Sequence, residues 1–146
     1  MEVVGLGILL ASSFTGDHPD ISYSAHDRDE MNLMQADITP LAGRWVNSNP
    51  TTEWIKKFTL AEKNGIFTLH AFGVNEPTDW GEIEVSTYQD NIGEMAFHAV
   101  YDLGFVEPML AANSNKGLIV IAAFLRFRDG DDRTNFLCRE FYVREQ

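Results

Sequence analysis

Imidazole titrates near neutral pH, so His70 and His98, both in β-rich stretches, are the first candidates for proton transfer. Tyr101, three residues beyond His98, completes the candidate catalytic set. Each also has a plainer reading, as a hydrogen-bonded wall or surface residue. Arg126, Arg128 and Arg139 are spaced along the last two β-rich stretches. Arg126, pointing inward, would grip a carboxylate or enolate through its planar fork; pointing outward it would pair with a surface carboxylate. Trp45, Asn47, Phe67, Trp80, Phe97 and Tyr101 are the expected pocket-facing residues, Trp54 being a further large aromatic that could line a pocket, with filling of a solid core as the alternative. Asp79, Glu82, Glu84 and Glu107 supply carboxylates, but no spacing among them defines an acid/base pair. The single cysteine, Cys138, has no adjacent histidine or helix start to lower its pKa and reads as a buried thiol. The four histidines and one cysteine form no metal spacing, and Asp129-Gly130-Asp131-Asp132 lacks the ligand pattern of a calcium loop, so neither a metal nor a cofactor is expected.

These side chains need a scaffold to hold them. The chain has 146 residues with 45% hydrophobic and 12% aromatic content, enough for one globular domain. Lys and Arg total 11 against 22 Asp and Glu, a formal charge of −11, which argues against nucleic acid and anionic membranes as partners. The opening MEVVGLGILLA is apolar but lacks a cationic start, so a cytoplasmic protein is expected. Residues 1–38 are acidic, with seven carboxylates facing only Arg28, and read as an appendage packing on a barrel formed by residues 39–146. Within the appendage, 3–10 could be a short strand and 27–36 two helical turns.

From Leu41 onward, short β-rich runs alternate with turn chemistry: 43–47, 53–62, 66–74, 80–88, 95–103, 106–112, 118–128 and 134–144. Asn64-Gly65 is a two-residue type I′ hairpin signal, and breaks at 75–78, 90–93, 113–117 and 129–132 separate the others. Connections this short predict a meander. The fold class expected is all-β: an eight-stranded antiparallel up-and-down barrel with an N-terminal appendage, a two-sheet sandwich being the runner-up.

Gly43-Arg44-Trp45 resembles the G-x-W motif that opens lipocalin and avidin-type (calycin) barrels. The resemblance implies that Trp45 closes one barrel end beneath an arginine of the last strand, Arg139 or Arg144. Trp45-Val46-Asn47 also repeats the avidin W-x-N, and Thr51 falls where avidins carry a ligand-contacting hydroxyl. Biotin is not implied, because avidin sites use tryptophans from later strands and none follows Trp80.

Alternation sorts the strands into faces. Phe67, Leu69, Ala71 and Gly73, together with Met95, Phe97, Ala99, Tyr101 and Leu103, form the expected lumen. The run 80–88 groups Trp80 with Glu82, Glu84, Ser86 and Tyr88, and the run 53–62 groups Trp54 with Lys56, Phe58 and Leu60. Apolar residues on both faces of 118–124 call for an outer wall covered by the N-terminal segment or by a second subunit, a homodimer being the favoured cover. The function expected is a small-molecule-binding barrel for an apolar or amphipathic ligand, with a cofactor-independent cyclase or isomerase as its enzymatic form. The competing class is a non-catalytic interaction module whose barrel is filled solid. A cavity of a few hundred Å³ reached from one end separates the two.

Overall fold

The computed structural model describes residues 35–128 and 135–146; the expected strand at 3–10, most of the expected helix at 27–36 and the 129–132 turn lie outside the described residues. Gln35–Gln146 form one compact unit. A short 3-10 turn, Thr39–Leu41, precedes nine strands: β1 Gly43–Asn47, β2 Ile55–Lys63, β3 Ile66–Gly73, β4 Asp79–Glu84, β5 Ser86–Gln89, β6 Met95–Val100, β7 Val106–Asn115, β8 Leu118–Phe127 and β9 Phe136–Arg144. All pairings are antiparallel, in the order β4-β3-β2-β1-β9-β8-β7-β6-β5. Sequence neighbours are sheet neighbours except β4 and β5, which stand at the two ends of the order, and the first strand pairs with the last. The result is an up-and-down, nearly closed barrel.

The ninth strand comes from a single expected run. Residues 80–88 bend at Val85, whose N–H donates to the Phe67 carbonyl at 2.9 Å. Before the bend the chain pairs with β3; after it, with β6. The two ends of the sheet order are therefore consecutive in sequence, and the gap in the nearly closed barrel lies where this run changes partner.

Side-chain alternation holds along β3, where Phe67, Leu69, Ala71 and Gly73 are buried, and along β6 for Phe97 and Ala99. It breaks twice, each time at a β-bulge, which places two residues opposite one and switches the parity of the strand. In β2 the register shifts between Ile55 and Lys57, so Ile55 points inward and both lysines point out. In β4 Trp80 is buried and the next inward positions are Ile83, Val85 and Thr87, because a shift opposite Ala71 accommodates Gly81 at φ 83°. The expected grouping of Trp80 with Glu82, Glu84, Ser86 and Tyr88 is thereby corrected: those four point outward.

Turns follow the sequence signals closely. Asn64 and Gly65 have φ of 56° and 82°, as a type I′ hairpin requires. The β7–β8 turn is shorter than expected, just Lys116-Gly117, because Ser114 continues the strand, faces inward and donates to Glu94 at 2.9 Å.

One barrel end is plugged. Ala36 accepts a hydrogen bond from Thr87 of β5, and seven residues later the chain enters β1, on the far side of the strand order from β5. Residues 36–42 therefore cross the opening, burying Ile38 and Leu41. The Trp45 indole donates to the Leu41 carbonyl at 2.9 Å. The Arg144 guanidinium sits 4.4 Å from the centre of the Trp45 ring and donates to the carbonyls of Ala42 and Pro40. Of the two arginines the G-x-W resemblance offered, Arg144 covers the tryptophan, while Arg139 lies outside over Phe141. Above this plug Phe58, Leu60, Leu69, Phe97, Ile121 and Tyr142 pack the lumen solid.

Candidate functional site: an aromatic cavity at the open end

At the opposite end the lumen is hollow. A cavity of about 590 Å³ lies among the start of β2, the β3–β4 turn, the β6–β7 connection and the ends of β8 and β9. Its walls are Trp54, Trp80, Leu103, Phe105, Phe127, Phe136 and Cys138, with Glu53, Asn75, Glu76 and Glu140 as the polar positions. That is the size and composition of a small-molecule site: mostly apolar, with a few polar groups to orient a ligand.

The aromatic wall is ordered by edge-to-face packing. Trp54 and Trp80 meet at 4.9 Å between ring centres and 72° between planes, and Trp80 rests on Tyr101 at 5.2 Å and 77°. The Trp80 indole lies so close to β3 that a Cβ on Gly73 would sit 2.8 Å from its Nε1, so only glycine fits there. Tyr101 secures the bulge beneath. Its hydroxyl accepts from the Ala71 N–H at 3.1 Å and lies 3.0 and 2.9 Å from the carbonyls of Leu69 and Gly81, which share its one proton. Those are the backbone groups that a bulge removes from the ladder. Burial, followed by the charges of Asp79 and Glu82, pushes the Tyr101 phenol up to about 12.

The floor is polar on one side. Glu140, on the inward face of β9, accepts from Asn47 Nδ2 at 2.7 Å and from Thr52 Oγ at 2.7 and 2.9 Å. Asn47 also donates to the Ile55 carbonyl at 3.0 Å, joined there by the Tyr142 hydroxyl at 2.9 Å. Burial and the neighbouring Glu140 charge push the Cys138 thiol up to about 11, and the same two causes raise Tyr142 further still. The Trp54 Nε1 is buried and has no hydrogen-bond partner among the described residues. An unmet buried donor costs about 1–3 kcal/mol.

The residues singled out from sequence are dispersed. Trp80 lines the cavity and Asn47 supports its floor through Glu140. Trp45 belongs to the plug and Phe97 to the solid core. Phe67 borders a smaller recess of about 290 Å³ beside residues 35–39. His70 and His98 lie on the outer faces of β3 and β6. His70 Nε2 sits 2.6 Å from Asp79 Oδ1 and its ring stacks on Phe72; the hydrogen bond to His70 leads the causes that lower the Asp79 pKa. Arg126 also points outward and pairs with Glu107 at 2.8 Å, beside the Arg128 pairs to Glu107 and Asp102. Thr51, placed by the avidin resemblance, is exposed and bonded to Asn49; its neighbour Thr52 is the buried hydroxyl.

Sequence reading passed over Glu140, Phe105, Phe127 and Phe136. Alternation along 136–144 puts Phe136, Cys138, Glu140 and Tyr142 on one face, a signal that was present. Phe105 lies in a connection, where alternation has nothing to report.

Among the described residues no three His, Cys, Asp or Glu side chains converge as a metal site, and no helix is long and apolar enough to cross a membrane. In comparisons with known proteins, no family model matches the sequence, and no curated protein and no solved structure is significantly similar to it.

Proposed function

We propose that this barrel binds an apolar or amphipathic small molecule in the cavity at its open end. The observation that carries the reading is the division of the lumen: solid next to the plug, and about 590 Å³ of aromatic-walled space at the other end. A barrel serving only as an interaction module gains nothing from leaving that volume unfilled, since each void forfeits packing contacts. The plug geometry, with Arg144 over Trp45 above the 3-10 turn, supports grouping the chain with the calycin barrels. That likeness concerns fold and assigns no ligand.

The enzymatic form of the reading is a cofactor-independent cyclase or isomerase that holds a flexible apolar substrate in a reactive shape, drawing on proximity rather than on proton transfer. The site suits that economy. The Tyr101 hydroxyl is committed to the bulge, His70 and His98 lie outside, and among the described residues the titratable groups on the cavity wall are Glu53, Glu76, Cys138 and Glu140.

Native mass spectrometry before and after denaturation, with and without added N-phenyl-1-naphthylamine, tests the proposal. The expected result is a non-covalent mass that is carried from purification or taken up from the dye, and lost on denaturation. Leu103→Trp, which pushes an indole into the cavity, should lower dye uptake by at least about tenfold. Uptake that is absent in the wild type, or unchanged in Leu103→Trp, would contradict the reading.

A further inference from the structure

Asn64-Gly65 is the one Asn-Gly pair in the chain, and it forms the whole of the β2–β3 turn, since Lys63 and Ile66 close the ladder on either side. Every residue from Glu62 to Ile66 is exposed. Gly65 has φ 82°, and among the described residues no atom lies within 4 Å of where a Cβ on it would sit. It lies outside the ladder, and its N–H donates to Glu62 Oε2 at 2.7 Å.

A backbone nitrogen one residue beyond an asparagine can attack that side chain's carbonyl carbon and close a five-membered ring. Two things hold the reaction back: the bulk of the attacking residue, and the proton on an amide nitrogen, which is a weak acid. Glycine removes the first, having no Cβ. The Glu62 carboxylate answers the second, because it sits within hydrogen-bond reach of that proton, where a general base must be.

We propose that Asn64 is a site of self-modification, deamidating through a succinimide with Glu62 as the base. The Gly65 N–H proton passes to Glu62 as the nitrogen bonds to Asn64 Cγ. The bond from Cγ to the side-chain amide nitrogen then breaks, and Glu62 returns the proton, so that ammonia leaves. Water, the only co-reactant, opens the ring at one of its two carbonyls and leaves aspartate or isoaspartate. Either product adds a negative charge beside Glu62 to a chain already at −11. Isoaspartate also lengthens the backbone of a two-residue turn by one carbon, which a type I′ hairpin cannot absorb without splaying its strands. Those strands carry Phe58, Leu60 and Leu69 of the core.

Other asparagines of the barrel serve as internal controls. Asn47 precedes Ser48 and its amide donates to the Ile55 carbonyl and to Glu140. Asn113 precedes Ser114 and donates to Asp90. Asn49 precedes Pro50, which has no N–H to lose.

The test is to hold the intact chain at body temperature in mildly alkaline buffer for days, then map it by proteolysis and mass spectrometry, separating aspartyl from isoaspartyl peptides. Asn64 should convert at least about tenfold faster than Asn47 or Asn113. Glu62→Gln keeps an acceptor for the Gly65 N–H but is no base, and should slow conversion by about fivefold or more. In urea, where the hairpin is lost, wild type and Glu62→Gln should convert within about twofold of each other. An Asn64 that converts no faster than Asn113 in the folded wild type would overturn the site, whatever the variant does. Equal rates for wild type and Glu62→Gln in the folded state, or a difference that persists in urea, would overturn the part assigned to Glu62 in the hairpin.

Discussion

At the scale of single residues, the most consequential side chain is one whose chemistry is used for structure. Tyr101 reaches from the end of β6 to three backbone groups of the β3–β4 bulge and supports Trp80. Removing the hydroxyl while keeping the ring leaves a buried N–H and two carbonyls short of partners, so Tyr101→Phe should cost about 1–3 kcal/mol in urea unfolding at neutral pH. The pH dependence has a definite sign. The folded-state phenol is raised from 10 to about 12, so the folded state holds this proton more tightly than the unfolded chain. Its contribution is complete below the unfolded value and is lost as pH rises from 10 toward 12. Wild-type stability should therefore fall across that window, and the Tyr101→Phe curve should fall less steeply, the raised Tyr142 accounting for part of what remains. Equal neutral-pH stability with identical alkaline slopes would remove Tyr101 from this role. Cys138 illustrates a different use of burial: its thiol, pushed up to about 11, is a poor nucleophile at neutral pH and serves as apolar wall.

At the scale of elements, period-two alternation and turn chemistry were enough to read the meander. Asn64-Gly65 located a hairpin, and the β3 and β6 lumen faces followed from the pleat. What alternation cannot carry is a change of parity. The bulges at Ile55/Lys57 and opposite Ala71 each shift the inward face by one residue, and their cause, satisfaction of backbone groups by a tyrosine from another strand, is a tertiary contact with no local signature. The same holds for the strand count: a bend at Val85 makes two strands of one run because its two halves find different partners. The plug was legible from a three-residue motif, since an arginine near the end of the last strand pairs in register with Trp45. The cavity was less so. Its walls come from strand ends and from the connection holding Phe105, where hydrophobic periodicity stops; of the residues read as pocket or lumen, Trp54, Gly73, Trp80 and Leu103 line it.

At the scale of the whole molecule, the outer wall carries its own pattern. Val100, Met109, Phe124 and Leu137 stand opposite one another in register across β6, β7, β8 and the start of β9, 48%, 46%, 42% and 69% exposed. Four adjacent apolar side chains on an outer face, Phe124 among them, accord with the two-faced reading of 118–124. We propose that a second copy covers them, in the isologous arrangement that most homodimers adopt. Sedimentation should give twice the 16.5 kDa chain mass, with association strengthened by salt because each chain carries −11 and like-charged copies repel. Phe124→Glu with Leu137→Lys should return the protein to a monomer with little change in thermal midpoint, since both side chains face outward. A wild-type monomer at high micromolar concentration in moderate salt would contradict the proposal.

The central claim is that ligands enter the end of the barrel opposite Trp45, and the chain carries its own reporters for it. Its three tryptophans divide between the ends: Trp54 and Trp80 on the cavity wall, Trp45 sealed in the plug. A two-dimensional NMR spectrum of the indole N–H groups, recorded during titration with N-phenyl-1-naphthylamine, follows all three at once. The prediction is that the Trp54 and Trp80 signals move together along one binding curve, while Trp45 stays in place. Movement of Trp45 alone, or of all three to the same extent, would contradict a site at the open end.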